Sequence, residues 1–188
     1  PHPAENIDSW YENLSSSTMK GKFTCPVSCG TANAIRRALL EDIPAWAPYK
    51  LNVSKNTTCQ TDEFIAHRIG LIPFRRIGNG DEMTIHVKGR TLRASDLIGP
   101  AFEPVYDLDI MDMNHEQEFK AVVLFDENVG SKHARYKMCA GVGMKELKHN
   151  MYEIVFETID DQEPIHVLQK ALDKLDGRID HGLKLLSN

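Results

Sequence analysis

Residues 164–186 read PIHVLQKALDKLDGRIDHGLKLL. In this stretch and at its edge, Ile165, Leu168, Leu172, Leu175, Ile179, Leu183 and Leu186 recur at intervals of 3, 4, 3, 4, 4 and 3. That spacing stacks side chains on one face of an α-helix, and here it holds for turn after turn. Pro164 suits the first turn, where its missing N–H is not needed, and Asp160 and Asp161 stand before it as candidate caps. A narrow apolar stripe of this length exceeds what one small sheet covers. It asks for another helix opposite, and its length favours a partner chain over an intramolecular one.

Working outward, Tyr152, Ile154 and Phe156 alternate within 151–158, the mark of a half-buried strand. The other end of the chain has the same style. A short strand is expected over Gly21–Val27, ended by Pro26. A helix is expected over Thr31–Asp42, with Ile35, Ala38 and Leu39 inward, Arg36 and Arg37 beside them, and Pro44 as its stop. A strand over Ala47–Asn56 follows, in which Tyr49, Leu51 and Val53 alternate. The first 20 or so residues are polar, with Ser15, Ser16, Ser17 and Thr18 in a row, and read as a loose arm. Between the ends the pattern differs. A helix over Thr61–Gly70 carries Phe64, Ile65 and Ile69. A turn at Gly78-Asn79-Gly80-Asp81 then leads into short strands at Met83–Val87, Val105–Met113 and Phe119–Phe125. The expected fold is α+β, with one discontinuous domain of 1–56 and 144–188 and an inserted strand-rich domain of 57–143.

Composition narrows the chemistry. The chain has 188 residues, 41% hydrophobic and 26% charged, with a net charge of −5. A protein built to grip nucleic acid by itself carries a basic excess, and this one does not. Four cysteines, at 25, 29, 59 and 139, fit reduced thiols, and Cys25 and Cys29 read as small buried hydrophobes. No apolar run approaches the roughly 20 residues of a membrane helix, and residues 1–10, PHPAENIDSW, lack the apolar stretch of a signal peptide, so secretion is not expected. Asp107, Asp109 and Asp112 form a D-x-D-x-x-D cluster of the kind that can hold Mg²⁺ for phosphotransfer. Their alternation with Tyr106, Leu108 and Ile110 reads instead as the wet face of a strand. A homodimeric binding module built on the C-terminal helix is a third reading. No nucleophile motif, phosphate-binding loop or metal-ligand spacing is present, so no catalytic residue, metal or cofactor is expected.

Three segments carry a resemblance. Residues 31–40 read TANAIRRALL, residues 62–73 read DEFIAHRIGLIP, and residues 130–136 read GSKHARY. They resemble, in order, the L-A-N-A-L-R-R-I-L-L helix, the D-E-F-I-A-H-R-L-G-L-I-P segment and the G-x-x-H-A-K-W turn of the alpha-like subunits of multisubunit DNA-directed RNA polymerases. In the third, Arg135 and Tyr136 stand for Lys and Trp. The insert and the second motif point to the larger member of that family's heterodimer, similar to the third-largest subunit of eukaryotic polymerase II and its archaeal counterpart.

The resemblance implies a non-catalytic assembly subunit within a nucleotidyltransferase complex. It would pair with a smaller alpha-like subunit and form the platform for the large catalytic subunits, meeting DNA only through the complex. It implies a dimerisation interface of Leu168, Leu172, Leu175, Ile179 and Leu183. It places Asn33, Arg36 and Arg37 toward a large subunit, with His67, Arg68, His133 and Arg135 as further contacts. The cysteine-rich module of many relatives is not expected, nor is the DNA-binding tail of the bacterial subunit. Such a version suits a divergent lineage, a large DNA virus included. The expected location is the nucleus or cytoplasm, or the virion for a viral protein, without secretion.

Overall fold

A computed structural model describes residues 20–148, 150–160 and 162–187. In chain order its elements are β1 (Lys20–Cys25), α1 (Cys29–Glu41), β2 (Pro44–Asn56), α2 (Asp62–Gly70), β3 (Phe74–Arg76), β4 (Glu82–Lys88), β5 (Leu92–Arg93), β6 (Phe102–Pro104), β7 (Asp109–Met111), β8 (Glu118–Val129), β9 (Cys139–Lys148), β10 (Met151–Thr158) and α3 (Pro164–Leu186). The fold is α+β with antiparallel sheets. The expected N-terminal arm and Asp161 lie outside the described residues.

The chain divides into two units. The first gathers β1, α1, β9, β10 and α3; the second is Pro44–Asn128 with His133–Tyr136. The division differs from the expected boundaries at 56/57 and 143/144. β2 hydrogen-bonds to β8 in the sheet β2-β8-β4, so residues 44–56 go with the interior segment. β9 pairs with β10 from Cys139 onward, so residues 137–143 go with the chain ends.

In the first unit, β10 is the central strand between β1 and β9. Phe23 faces Ile154 across one pair, and Ile154 faces Met144 across the other. Gly21 lies opposite Phe156, and a Cβ there would sit 2.4 Å from the Phe156 ring, so only glycine lets that ring lie across the strand. α1 begins at Ser28, whose side chain accepts a hydrogen bond from the Thr31 N–H. Its buried residues are Ala32, Ile35, Ala38 and Leu39. The helix ends at Glu41 and Pro44 already belongs to β2, so Pro44 opens a strand as well as following a helix.

In the second unit, Met83, Ile85 and Val87 of β4 alternate inward, matched by Val123, Ala121 and Phe119 of β8. Two short ribbons, β3–β6 and β5–β7, form separate two-stranded sheets in this unit. α2 is capped by Thr61 and buries Ile65 and Ile69. Phe102 and Phe125 stack with ring centroids 4.1 Å apart, and Phe74 meets Phe125 edge-on at 5.0 Å.

Three expectations need correction. Phe64 is 44% exposed and lies off the buried face of α2, because that short helix turns only Ile65, Ile69 and Gly70 inward. The expected strand Val105–Met113 is strand only at β7 (Asp109–Met111); β6 ends at Pro104, and a bend at 105–108 separates the two. Val105 N–H donates to Pro73 O, one step past the Phe74–Pro104 pair, and the ladder ends there. Finally, α3 is not capped by Asp160. Its N-cap is Glu163, without a side-chain cap bond. Asp160 instead accepts from the Gln162 N–H and Nε2, at 3.2 and 2.6 Å.

Candidate functional site

The apolar stripe of α3 divides in two. Val167, Leu168 and Ala171 are fully buried in the first unit. Leu172 and Leu175 are half-buried, whereas Ile179 is 52% and Leu183 60% exposed. Leu168 therefore does not belong to an outward surface: at 0% exposure its side chain is spent on the unit's own core. The reason is position, since α3 packs on α1 and the sheet with its first turns and leaves its last turns uncovered. An apolar groove runs between the helices, lined by Val27, Thr31, Ile35, Leu172, Leu175 and Ile179. Arg178 forms an ion pair with Asp42 at the end of α1 and fixes the two helices beside that groove. Val27, just before α1, and Thr31, in its first turn, also line the groove, although periodicity does not single them out.

On α1, Arg36 donates from Nε and Nη2 to Asn33 Oδ1, at 3.1 and 2.9 Å. Arg37 donates to Glu41 at 3.1 Å, one helical turn on. Exposed pairs of this kind contribute less than about 1 kcal/mol to folding. What they do is hold a planar guanidinium in one orientation, ready for a carboxylate or carbonyl of another molecule.

The remaining candidates fall in the second unit. Arg68 Nη2 donates to Asp109 O at 3.1 Å, and its guanidinium lies 5.8 Å from the centroid of the Phe64 ring. His133 Nδ1 accepts from both the backbone N–H and Nε of Arg135, each at 3.2 Å. Arg135 Nη1 reaches Pro48 O at 2.7 Å. Tyr136 donates to Asp126 at 2.6 Å; burial, with that bond, pushes its phenol up to about 12. The 133–136 turn is thus bound into its own unit through β2 and β8. His67 and Arg135 line one pocket there. Truncating the guanidinium tests this: Arg135→Met should lower stability by about 1–3 kcal/mol, read from the urea midpoint, because Pro48 O loses its charged donor.

The aspartate cluster does not converge. Arg93 pairs with Asp107 at 3.1 Å and with Asp109 at 2.7 Å, and Thr91 Oγ1 donates to Asp112 at 2.8 Å. Hydrogen bonds from Ser95, and then the Arg93 guanidinium, hold the Asp107 carboxyl below the usual range. Asp107 also lies in the bend and not on a strand face. Among the described residues no three His, Cys, Asp or Glu side chains are grouped so as to hold a metal ion.

No family model matches the chain. Curated relatives do. The chain is 25% identical to the DNA-directed RNA polymerase subunit Rpo3 of Methanocaldococcus jannaschii, over 87% of this chain and 88% of that protein. It is 26% identical to the subunit 3 of RNA polymerases II, IV and V of Arabidopsis thaliana, over 78% of this chain and 59% of that protein. A 47-residue segment is 47% identical to the human RNA polymerases I and III subunit RPAC1, covering 25% of this chain and 14% of that protein. The chain is thus similar to alpha-like RNA polymerase subunits over most of its length.

The relatives it matches are archaeal and eukaryotic proteins, and it spans under two thirds of the length of the plant relative. Among its cysteines, Cys25 and Cys139 are buried, and burial pushes their thiols up to about 11 and about 12. Cys29, expected inside with Cys25, is exposed because it occupies the first turn of α1 on the outward side. No helix of the described residues is long and apolar enough to cross a membrane.

Proposed function

We propose that this chain is an alpha-like RNA polymerase subunit that has no active site of its own and serves polymerase assembly. It pairs through α3 with a smaller alpha-like subunit, and the pair receives the large catalytic subunits. One observation supports this reading above the rest. The α3 stripe continues past the unit's own core, so that Ile179 and Leu183 stay exposed beside an apolar groove. Leu172 and Leu175 form the inner edge of the same surface, and Leu168 supports it from beneath. DNA is met only through the complex, in keeping with a net charge of −5. The location is that of the polymerase, nucleus or cytoplasm.

Co-expression with a small alpha-like subunit, followed by native mass spectrometry, tests the pairing. A one-to-one complex is expected. A stable monomer, or a homodimer that ignores the small subunit, would reject it. Asn33, Arg36 and Arg37 are assigned to the large-subunit side. Arg36→Ala with Arg37→Ala should leave pairing intact and weaken recovery of the large subunit by roughly tenfold or more, as loss of charge-assisted hydrogen bonds does. A pull-down at fixed salt reads both effects.

A further inference from the structure

The pocket on the second unit is lined by Tyr49, Lys50, Leu51, Glu63, His67 and Arg135, among others. Its chemistry is unequal. Lys50, His67 and Arg135 bring basic groups to it, and Glu63 is the acidic residue lining it. Arg135 is held rigidly, with Nε on His133 Nδ1 and Nη1 on Pro48 O. Among the described residues its Nη2 takes no partner. Lys50 and Glu63 are exposed, and no ion pair joins them. Tyr49 offers an exposed aromatic face beside them. A guanidinium fixed by its own unit, with a donor left over, an ammonium nearby and an aromatic wall, is a preorganised seat for a carboxylate on an apolar neighbour.

We infer that this pocket receives an acidic side chain, Asp or Glu, from another subunit of the polymerase, in an extended or loop segment whose flanking residue packs on Tyr49. The inference rests on the polymerase-subunit reading and adds the chemistry of one contact to it. A protein carboxylate fits better than a nucleic acid phosphate, because Glu63 at the pocket and the chain's net charge of −5 both oppose a polyanion.

Zero-length carbodiimide cross-linking of the native polymerase complex provides the test, since the reagent joins an amine to a carboxylate only when the two already touch. Mass spectrometry should find Lys50 in an amide with an Asp or Glu of a different subunit. Lys50 joined only to Glu63, or unreacted while Lys20 and Lys22 couple to their own ion-pair partners Glu157 and Glu153, would overturn the inference. So would a Lys50 that is shielded from acylation only while nucleic acid is bound. Absence of the chain from any polymerase complex would overturn both this inference and the assembly reading. Presence in the complex with a negative Lys50 overturns this inference alone. As a second measure, Lys50→Glu should weaken association by about tenfold, and Lys50→Arg should preserve it. Equal association of the two variants counts against the pocket.

Discussion

Ile179→Asp is expected to leave the chain folded and to abolish the proposed pairing. Ile179 is already more than half exposed, so a carboxylate there stays hydrated in the free chain and folding is spared. In the paired state the same carboxylate would be buried without a counter-charge, at a cost of several kcal/mol. A loss of about 3 kcal/mol is already a factor of more than a hundred in affinity. Sedimentation or co-purification reads the pairing, and urea unfolding reads the fold. Leu168→Ala should behave oppositely: a destabilisation of about 2–5 kcal/mol, with pairing affected only as the fold is lost. Leu175→Asp lies between, damaging both, because Leu175 is half-buried in the groove. If Ile179→Asp paired like the parent chain, the outward face of α3 would not be the dimerisation surface.

Phe102→Ala should be the most damaging single change in the second unit. Phe102 is almost fully buried, stacks on Phe125 at 4.1 Å and meets the Trp46 ring at 5.6 Å. Removing a buried aromatic ring leaves a cavity as well as lost burial, about 3–5 kcal/mol together. Against a typical domain stability of about 5–15 kcal/mol, that loss is enough to be seen at once in the urea midpoint. Phe64→Ala is the control: an exposed ring on α2 whose removal should change stability by no more than about 0.5 kcal/mol. Equal effects of the two substitutions would mean that the aromatic cluster is not what holds this unit.

The helices are legible in the residues nearly to their ends, because a capping side chain and a 3.6-residue period are local signals. Ser28 before α1 and Thr61 before α2 are such caps. What the residues do not reveal depends on contacts far along the chain. β9 gives little strand signal, because Gly141 and Gly143 break its alternation and most of its side chains are exposed. The allegiance of β2 is hidden because nothing within 44–56 says that its hydrogen bonds go to β8. Leu168 and Ile179 sit on the same stripe, and periodicity cannot tell which end meets the chain's own sheet. The pairing of Arg93 with both Asp107 and Asp109 joins residues 14 and 16 positions apart through a bend that the alternation of Tyr106, Leu108 and Ile110 conceals. For the candidate surfaces, residue types are readable and directions are not.

The Arg178–Asp42 pair ties α3 to the end of α1. Beyond it, Ile179, Leu183, Leu185 and Leu186 are all exposed on a helical segment too short to be stable by itself in water. An orphan copy would therefore present an exposed, leucine-rich face of the kind that holdases and proteases meet first. Pairing through that face would hide it. With the proposed pairing, copies in excess of the partner would be the ones left open to removal.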